Sequence, residues 1–289
     1  MSNEGEHKIT DTKGKFLQVV KNGRKLNDPD WTSGRILLSN KRIVLAGNQG
    51  KRSIPLSKVD GLKGRYDVNQ AVASVSDYLS VEFDNNVLLL GTGMDIDEFE
   101  TDVYGALLNQ KMILTKHPAV EGGVVQDTDW EKARIKITEE MVNVAIASGT
   151  FVGIELDDIG SVERATRTVK GEQRTVLEVE HTQGDTSVQT YISGQTRRCG
   201  LLESLLKKGE RKNEGGVELD ETEKEVLMAL YSGVSSFEIP DFLGMDVDEV
   251  ESIFERLIEV DVLEEVRKRR EVSLKTRGRN IASESINEK

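Results

Sequence analysis

The side chains best suited to chemistry in this 289-residue chain are three histidines and one cysteine. His7, His117 and His181 lie far apart in the sequence, and none has a second ligand at the spacing of a metal site. Cys199 excludes an intrachain disulfide because it is the only cysteine, and its position beside Leu201 predicts a buried apolar role. Spacing alone assembles no Ser-His-Asp or Cys-His set, although residues distant in sequence can meet in a fold. We therefore expect no catalytic, metal or cofactor site, and a protein that is not an enzyme.

Gly91 and Gly93 lie between a predicted strand and a predicted helix, as the glycines of a phosphate-binding loop do. The third glycine of that motif is absent, and Asp95, Asp97 and Glu98 would repel a phosphate at the helix start. An acceptor followed three residues later by an acid is instead the spacing of a capping box. The segment is therefore predicted to be a turn and a helix cap.

The net charge of the chain differs from that of most nucleic-acid-binding proteins. Its 39 Lys and Arg residues against 51 Asp and Glu residues give a net charge of −12, which repels nucleic acids and anionic membranes. Two local basic sets stand out against this background. The C-terminal basic patch, our candidate partner-binding site, consists of Arg267, Lys268, Arg269, Arg270, Lys275, Arg277 and Arg279. The N-terminal basic set consists of Lys13, Lys15, Lys21, Arg24 and Lys25.

Each basic set has several interpretations. The C-terminal basic patch is a solvated hairpin tip, a docking site for an acidic protein partner, or a contact to a nucleic-acid backbone. The N-terminal basic set is an exposed edge hairpin or a site for anionic lipid headgroups, and the overall negative charge favours the hairpin. The single cysteine and the absence of an apolar stretch long enough to span a bilayer predict a cytoplasmic protein.

Two stretches about a hundred residues apart repeat one strand-rich pattern. A tryptophan opens each copy, Trp31 in the first and Trp130 in the second, four residues before an Arg-Ile pair. The match extends to residues 54–59 and 154–159. A period this long indicates two copies of one domain rather than a solenoid, and the two tryptophans are expected at equivalent core positions.

Alternating apolar and polar residues predict an antiparallel sheet of about seven strands in each copy, closed by one amphipathic helix. The helix would cover the open end of a curved sheet, and the sheet edges would remain free for partner peptides. The dipeptide at His117 and Pro118 is expected to shape the crossing between the copies.

The C-terminal part of the sequence changes to a helical pattern. A charged, glycine-containing linker is predicted at residues 209–217, followed by three helices and a hairpin that together indicate a winged helix. The third helix of such a domain normally enters the major groove, but residues 246–259 contain six acids against Arg256 alone. Because DNA affinity comes chiefly from cations that neutralise phosphates, we do not expect this helix to bind DNA.

This order of parts resembles that of the archaeal taxis protein CheF family. The resemblance covers almost the whole chain and is carried by residues 35–45, 54–59, 117–125 and 219–227. It implies an α+β protein with a first pleckstrin-homology-like domain at 1–114 and a second at 115–208, each closed by a C-terminal helix. The linker at 209–217 and a winged helix at 218–289 complete the predicted organisation.

The resemblance also implies a function. CheF proteins link the chemotaxis response regulator CheY, with CheC and CheD, to the switch proteins of the archaellum motor. A cytoplasmic adaptor that prefers phosphorylated CheY is therefore expected, with no cofactor, and the oligomeric state stays open. The alternative is a winged-helix transcriptional regulator whose β modules sense a ligand.

Overall fold

The computed structural model describes residues 5–27, 29–48, 50–63, 78–214, 219–260 and 262–263 of the chain. It confirms the α+β class, with two antiparallel sheets and five α-helices in the described residues. The chain divides into two compact units, Met1–Gly215 and Gly216–Lys289. The C-terminal basic patch and the hairpin that was predicted around it lie outside the described residues.

The first sheet contains eight strands, seven of which lie in the order β5-β4-β3-β1-β8-β7-β6, while β2 pairs with the end of β1. The strands are β1 (Lys8–Lys21), β2 (Arg24–Lys25), β3 (Thr32–Ser39), β4 (Arg42–Gly47), β5 (Gly50–Pro55), β6 (Val59–Lys63), β7 (Leu79–Phe83) and β8 (Asn86–Thr92). The helix α1 (Ile96–Leu108) follows, and the carboxylate of Asp95 caps it by accepting the backbone N–H groups of Asp97 and Glu98.

The second sheet repeats this topology strand for strand. Its order is β13-β12-β11-β9-β16-β15-β14, with β10 paired to the end of β9. The strands are β9 (Met112–Glu121), β10 (Val124–Val125), β11 (Glu131–Ile137), β12 (Met141–Ile146), β13 (Phe151–Glu155), β14 (Ile159–Val169), β15 (Glu172–Gln183) and β16 (Thr186–Ser193). The helix α2 (Thr196–Glu214) closes it. The predicted duplication, with about seven main strands and a helix in each copy, is confirmed.

The two copies share a single hydrophobic core. Buried residues of both sheets and both helices belong to one continuous cluster, in which Leu38 and Phe99 of the first copy pack with Val144 and Leu205 of the second. The helix α1 contacts β11 of the second sheet, and α2 contacts β6 of the first. The two sheets therefore form one body rather than two independently closed modules.

Hydrogen bonds across the boundary reinforce this arrangement. The guanidinium of Arg197 on α2 donates to the carbonyl oxygens of Val59, at 2.5 Å, and of Leu56 in the first copy. The ammonium of Lys208 on α2 donates to Asp97 and Glu100 on α1, at 2.6 Å each. Because both donors are charged and partly buried, losing either would leave polar groups unsatisfied at the boundary.

Two local expectations are corrected by the structure. The helix α2 continues to Glu214, through most of the segment that was predicted as a linker, because Gly209 packs against Leu156 and the Glu210 carboxylate accepts the backbone N–H of Val162. His117 and Pro118 lie inside β9 rather than at the crossing between the copies.

The two tryptophans occupy equivalent places, but these lie outside the main core. Trp31 is half-buried against Leu17, Val19, Tyr78 and Leu89. Trp130 is half-buried in the corresponding small cluster, whose buried members are Ala119, Val169, Val176 and Tyr191. The alignment of the repeat is confirmed, and the expected full burial is wrong.

The described part of the second unit consists of three helices: α3 (Glu221–Tyr231), α4 (Ile239–Leu243) and α5 (Val247–Glu259). Asp220 and Glu223 form a reciprocal capping box at the start of α3. Their small core contains Val226, Ala229, Ile239, Val250 and Leu257. Three helices in this order are what the sequence predicts.

Candidate interaction surfaces

Two of the three histidines meet in the second sheet. His117 on β9 and His181 on β15 stack with ring centroids 6.2 Å apart. Both rings reach the hydroxyl of Thr190, from His117 Nδ1 at 2.7 Å and from His181 Nε2 at 2.8 Å. The hydroxyl can donate to one ring and accept from the other, so Thr190 bridges the two imidazoles. Sequence reasoning missed this pair, because 64 residues separate its members and only strand pairing brings them together.

The surroundings disfavour protonation of this pair. Burial lowers the pKa of His117, and the neighbouring His181 lowers it further. Burial also lowers the pKa of His181 below its ordinary value. His7, by contrast, is exposed and far along the chain from both. The pair stabilises the sheet rather than presenting a nucleophile or a metal ligand set.

The other candidates for chemistry are structural in the same way. Cys199 is buried against the core on α2, and burial raises the pKa of its thiol, which makes it a poor nucleophile. Gly91 and Gly93 end β8 beside β1, and Asp95 caps α1 as predicted. Within the described ranges, no group of three or more His, Cys, Asp or Glu residues could hold a metal ion.

The sheet edges differ in how far they are covered. On α2, Glu210 accepts the N–H of Val162 in the edge strand β14, and Arg197 donates to the carbonyl of Val59 in the edge strand β6. At the opposite ends of the sheets, β5 and β13 have a partner strand on one side only. Pro55 ends β5 without an N–H group, whereas β13 contains no proline. The expectation of open edges thus holds for β13 better than for the other three.

The outward faces of the two sheets differ most clearly along one pair of equivalent rows. In the first sheet, strand pairing aligns Lys13, Arg35, Ala46 and Lys51 across β1, β3, β4 and β5. In the second sheet, the same pairing aligns Met112, Arg134, Ala145 and Phe151 across β9, β11, β12 and β13. The arginine and the alanine are kept in both rows, while two lysines in one row are two apolar side chains in the other.

These differences are exposed to solvent. The side chains of Met112 and Phe151 are 46% and 63% exposed. Arg35 forms two hydrogen bonds with the carboxylate of Asp11, and this arginine lowers the pKa of Asp11. Arg134 instead donates to the backbone carbonyl of Gln110 at 3.1 Å and has no carboxylate partner among the described residues. The two faces therefore offer different chemistry at equivalent positions.

The hairpins at the ends of β1 and β9 show the same difference, with cations in the first copy and apolar side chains in the second. In the first copy, the exposed residues at the turn are Lys21, Arg24 and Lys25. In the second copy, the two residues of β10 are Val124 and Val125, which are 63% and 76% exposed. Of the rest of the N-terminal basic set, Lys13 lies in the row described above and Lys15 packs over the ring of Trp31 at 5.4 Å.

The described part of the second unit presents an acidic surface. Residues 219–260 contain twelve Asp and Glu residues against Lys224 and Arg256. The acids of α5 are exposed, and Arg256 donates a hydrogen bond to the buried carboxylate of Glu223. Met228 and Tyr231 on α3 are exposed among these acids, at 69% and 94%. A surface of this kind repels DNA and suits contacts with proteins.

Comparison with known proteins gives the family. Residues 8–212 match the description of an archaeal chemotaxis signal transduction system protein F. The chain belongs to the CheF family. Residues 218–287 match a domain of unknown function.

Two curated relatives extend the match over the whole chain. The chain is 63% identical over 287 residues to the taxis protein CheF1 of Halobacterium salinarum, covering 99% of each protein. It is 27% identical over 239 residues to the taxis protein CheF2 of the same organism, covering 80% of this chain and 83% of the relative. Membership of the CheF family places the protein in chemotaxis signal transduction. In the described part of the chain, no helix is long and apolar enough to cross a membrane.

Proposed function

We propose that this protein is a non-enzymatic cytoplasmic adaptor that couples the response regulator CheY, with CheC and CheD, to the switch proteins of the archaellum motor. In this proposal the two sheets are pleckstrin-homology-like modules, and the second unit is a winged helix used for protein contacts. Membership of a chemotaxis signalling family supports the general role.

One observation carries the proposal beyond the family. Two copies of one sheet share a core, yet equivalent outward positions have different chemistry: Lys13 and Lys51 in one copy correspond to Met112 and Phe151 in the other. A body that presents two different surfaces at a set distance suits a protein that holds two partners at once.

The mechanism follows from linkage between binding sites. If phosphorylated CheY binds more tightly than unphosphorylated CheY, occupancy of the adaptor reports the signal to the motor. Coupling between two sites in one protein is typically about 1–3 kcal/mol, which corresponds to roughly a 5–150-fold change in affinity. A partner that binds both states equally would shift nothing.

The test is a titration of the purified full chain with CheY, with and without beryllofluoride as a phosphoryl mimic, followed by addition of archaellum switch proteins. We expect tighter binding of the activated CheY and a ternary complex with the switch proteins. Equal affinity for the two states of CheY would refute the coupling mechanism. Failure to bind any of CheY, CheC, CheD and the switch proteins would refute the adaptor itself.

The alternative of a transcriptional regulator receives no support from the described part of the second unit. Residues 219–260 carry twelve acids against two bases, so phosphate contacts would have to come from elsewhere. A gel shift at low salt, with the double substitution Arg269→Glu and Arg270→Glu as control, tests this alternative directly. Salt-sensitive DNA binding that the substitutions abolish would favour the regulator over the adaptor.

A further inference from the structure

The outward face of the second sheet contains an unbalanced cationic ridge. Lys132, Arg134 and Lys136 alternate along β11, all three are exposed, and none has a carboxylate partner among the described residues. The equivalent positions of the first sheet are Ser33, Arg35 and Leu37, of which only the arginine is charged and is paired with Asp11. Three cations without a carboxylate partner on one strand contrast with the net charge of −12 of the chain.

Beside this ridge lies a strip of small side chains, called the channel below, which ends at the buried Asn143 of β12. The next strand, β12, presents the small, exposed side chain of Ala145, and Ala147 follows just beyond the strand. The far side of the channel is β13, where Phe151 is 63% exposed and Gly153 has no side chain. Since neighbouring strands lie about 4.8 Å apart, the ridge and β13 are separated by roughly 10 Å, the diameter of a helix.

From this geometry we infer that the channel over β12 binds an amphipathic helix of a protein partner, with acidic side chains on the ridge and apolar side chains against Ala145 and Phe151. Charge complementarity selects an acidic partner, because the ridge has three cations and no internal acid to neutralise them. The exposed apolar wall selects an amphipathic partner over a uniformly acidic one.

The spacing of the ridge agrees with a helical partner. Alternate residues of a strand lie about 6.8 Å apart, and residues four apart in a helix lie about 6 Å apart along its axis. Acids at positions i, i+4 and i+8 therefore match three successive cations to within the reach of lysine side chains. Apolar residues at i+3 and i+7 occupy the adjoining row, which faces the channel floor.

The corresponding face of the first sheet already holds a carboxylate of this chain. The carboxylate of Glu6 forms two hydrogen bonds with the guanidinium of Arg42, at 2.6 and 2.7 Å. Glu6 and Lys8 line a cavity of about 480 Å³ over that face, together with Leu37, Val44 and Ser53. On the second sheet, Ala145 and Phe151 stay exposed. This inference goes beyond the proposed function, since it does not depend on which protein supplies the helix.

The test uses the isotope-labelled full chain and a synthetic helical peptide with glutamates at i, i+4 and i+8 and leucines at i+3 and i+7. A control peptide of the same composition has its glutamates on the opposite face, at i+2, i+6 and i+10. We expect the first peptide to shift the amide resonances of Arg134, Ala145 and Phe151, with an affinity that falls as salt rises. The control peptide is expected to bind at least about fivefold more weakly.

Matched substitutions locate the binding. The double variant Lys132→Glu and Lys136→Glu should weaken the peptide at least about tenfold, and Phe151→Ser should weaken it about fivefold. The control variant Lys13→Glu and Lys51→Glu changes two exposed lysines of the first sheet. Lys13 lies on β1 and Lys51 on the edge strand β5, on either side of β3, the strand that corresponds to the ridge. This variant should change the affinity less than about twofold. All these positions are exposed, so folding is expected to survive, and circular dichroism checks it.

Four results would overturn the inference. They are the absence of resonance shifts at millimolar peptide, equal losses in the two lysine double variants, and shifts confined to the outer amides of β13, which would indicate addition of a strand at the sheet edge. The fourth is self-association of the free chain that Phe151→Ser abolishes in sedimentation, which would make a second copy the occupant.

Discussion

Gly209 offers a sharp test of how α2 packs against the second sheet. It lies in the interior of α2, where glycine is about 1 kcal/mol less favourable than alanine, so Gly209→Ala should stabilise a helix that had free space around it. The structure predicts the opposite. A Cβ atom at this position would lie well inside 3.0 Å of the Leu156 carbonyl oxygen and 3.0 Å from Ile159 Cδ1.

The magnitude follows from two opposing effects. Overpacking against a backbone atom that cannot rotate away costs about 1–3 kcal/mol, and the gain in helix propensity offsets about 1 kcal/mol of this. Gly200 is a matched control in the same helix, because a Cβ atom there meets nothing within 4 Å. The propensity gain is common to both variants. The difference between their unfolding free energies therefore isolates the contact, at about 1–3 kcal/mol.

Urea denaturation followed by tryptophan fluorescence measures this difference, since Trp31 and Trp130 both lie in the first unit. We expect Gly200→Ala to raise the midpoint and Gly209→Ala to lower it, with unchanged dependence on urea concentration. If both variants raised the midpoint equally, α2 would not lie against Leu156 as described. The account of the former linker segment as a packed helix would then be wrong.

Four further predictions concern the first unit. Arg197→Ala should lower the unfolding free energy by about 1–3 kcal/mol in urea denaturation, because the carbonyls of Leu56 and Val59 lose a charged donor, and an unchanged midpoint would contradict this. Burial lowers the pKa values of His117 and His181, so their contribution to the unfolding free energy is complete above the ordinary histidine pKa near 6.5 and is lost on acidification. Between pH 7.5 and 5.5, the urea midpoint should therefore fall less in His117→Gln than in the wild type. Burial acts to lower the pKa of Lys208, but the carboxylates of Glu100 and Asp97 outweigh it and leave the pKa raised. The stabilisation from this ion pair should therefore disappear at strongly alkaline pH in the wild type, and Lys208→Met should lack it at every pH. Trp31→Ala and Trp130→Ala should lower the unfolding free energy by similar amounts, each less than the roughly 3–5 kcal/mol of a fully buried tryptophan. A loss of stability at one site alone would contradict the equivalence of the two clusters.

Local patterns were sufficient for much of the fold. The alternation of apolar residues and the spacing of turns gave the strands of both copies, and the matching tryptophans gave the duplication. Asp95 was identified as a helix start because a cap and the helix it serves are only a few residues apart. The segment after residue 208 was misread, since its charge and glycine content are typical of linkers while its contacts with Leu156 and Val162 come from distant strands.

The interaction surfaces depended on information that local patterns do not contain. The row of Met112, Arg134, Ala145 and Phe151 draws on four strands, and only the register of their pairing places these residues side by side. A shift of one residue in any pair would turn the row to the other face of the sheet. The difference between the open edge at β13 and the edges at β6 and β14 likewise depends on tertiary structure, because side chains of α2 form hydrogen bonds with β6 and β14.

The sequence by itself determined the duplicated order of strands and helices, the negative charge and the family, because these reside in composition and in patterns a few residues long. Only the tertiary structure decided that the copies share one core, that the two histidines meet at Thr190, and that cations and apolar side chains border one channel. The physical reason is that these features arise from contacts between residues far apart in the chain. Their formation is driven by burial of the whole core rather than by the preference of any single segment.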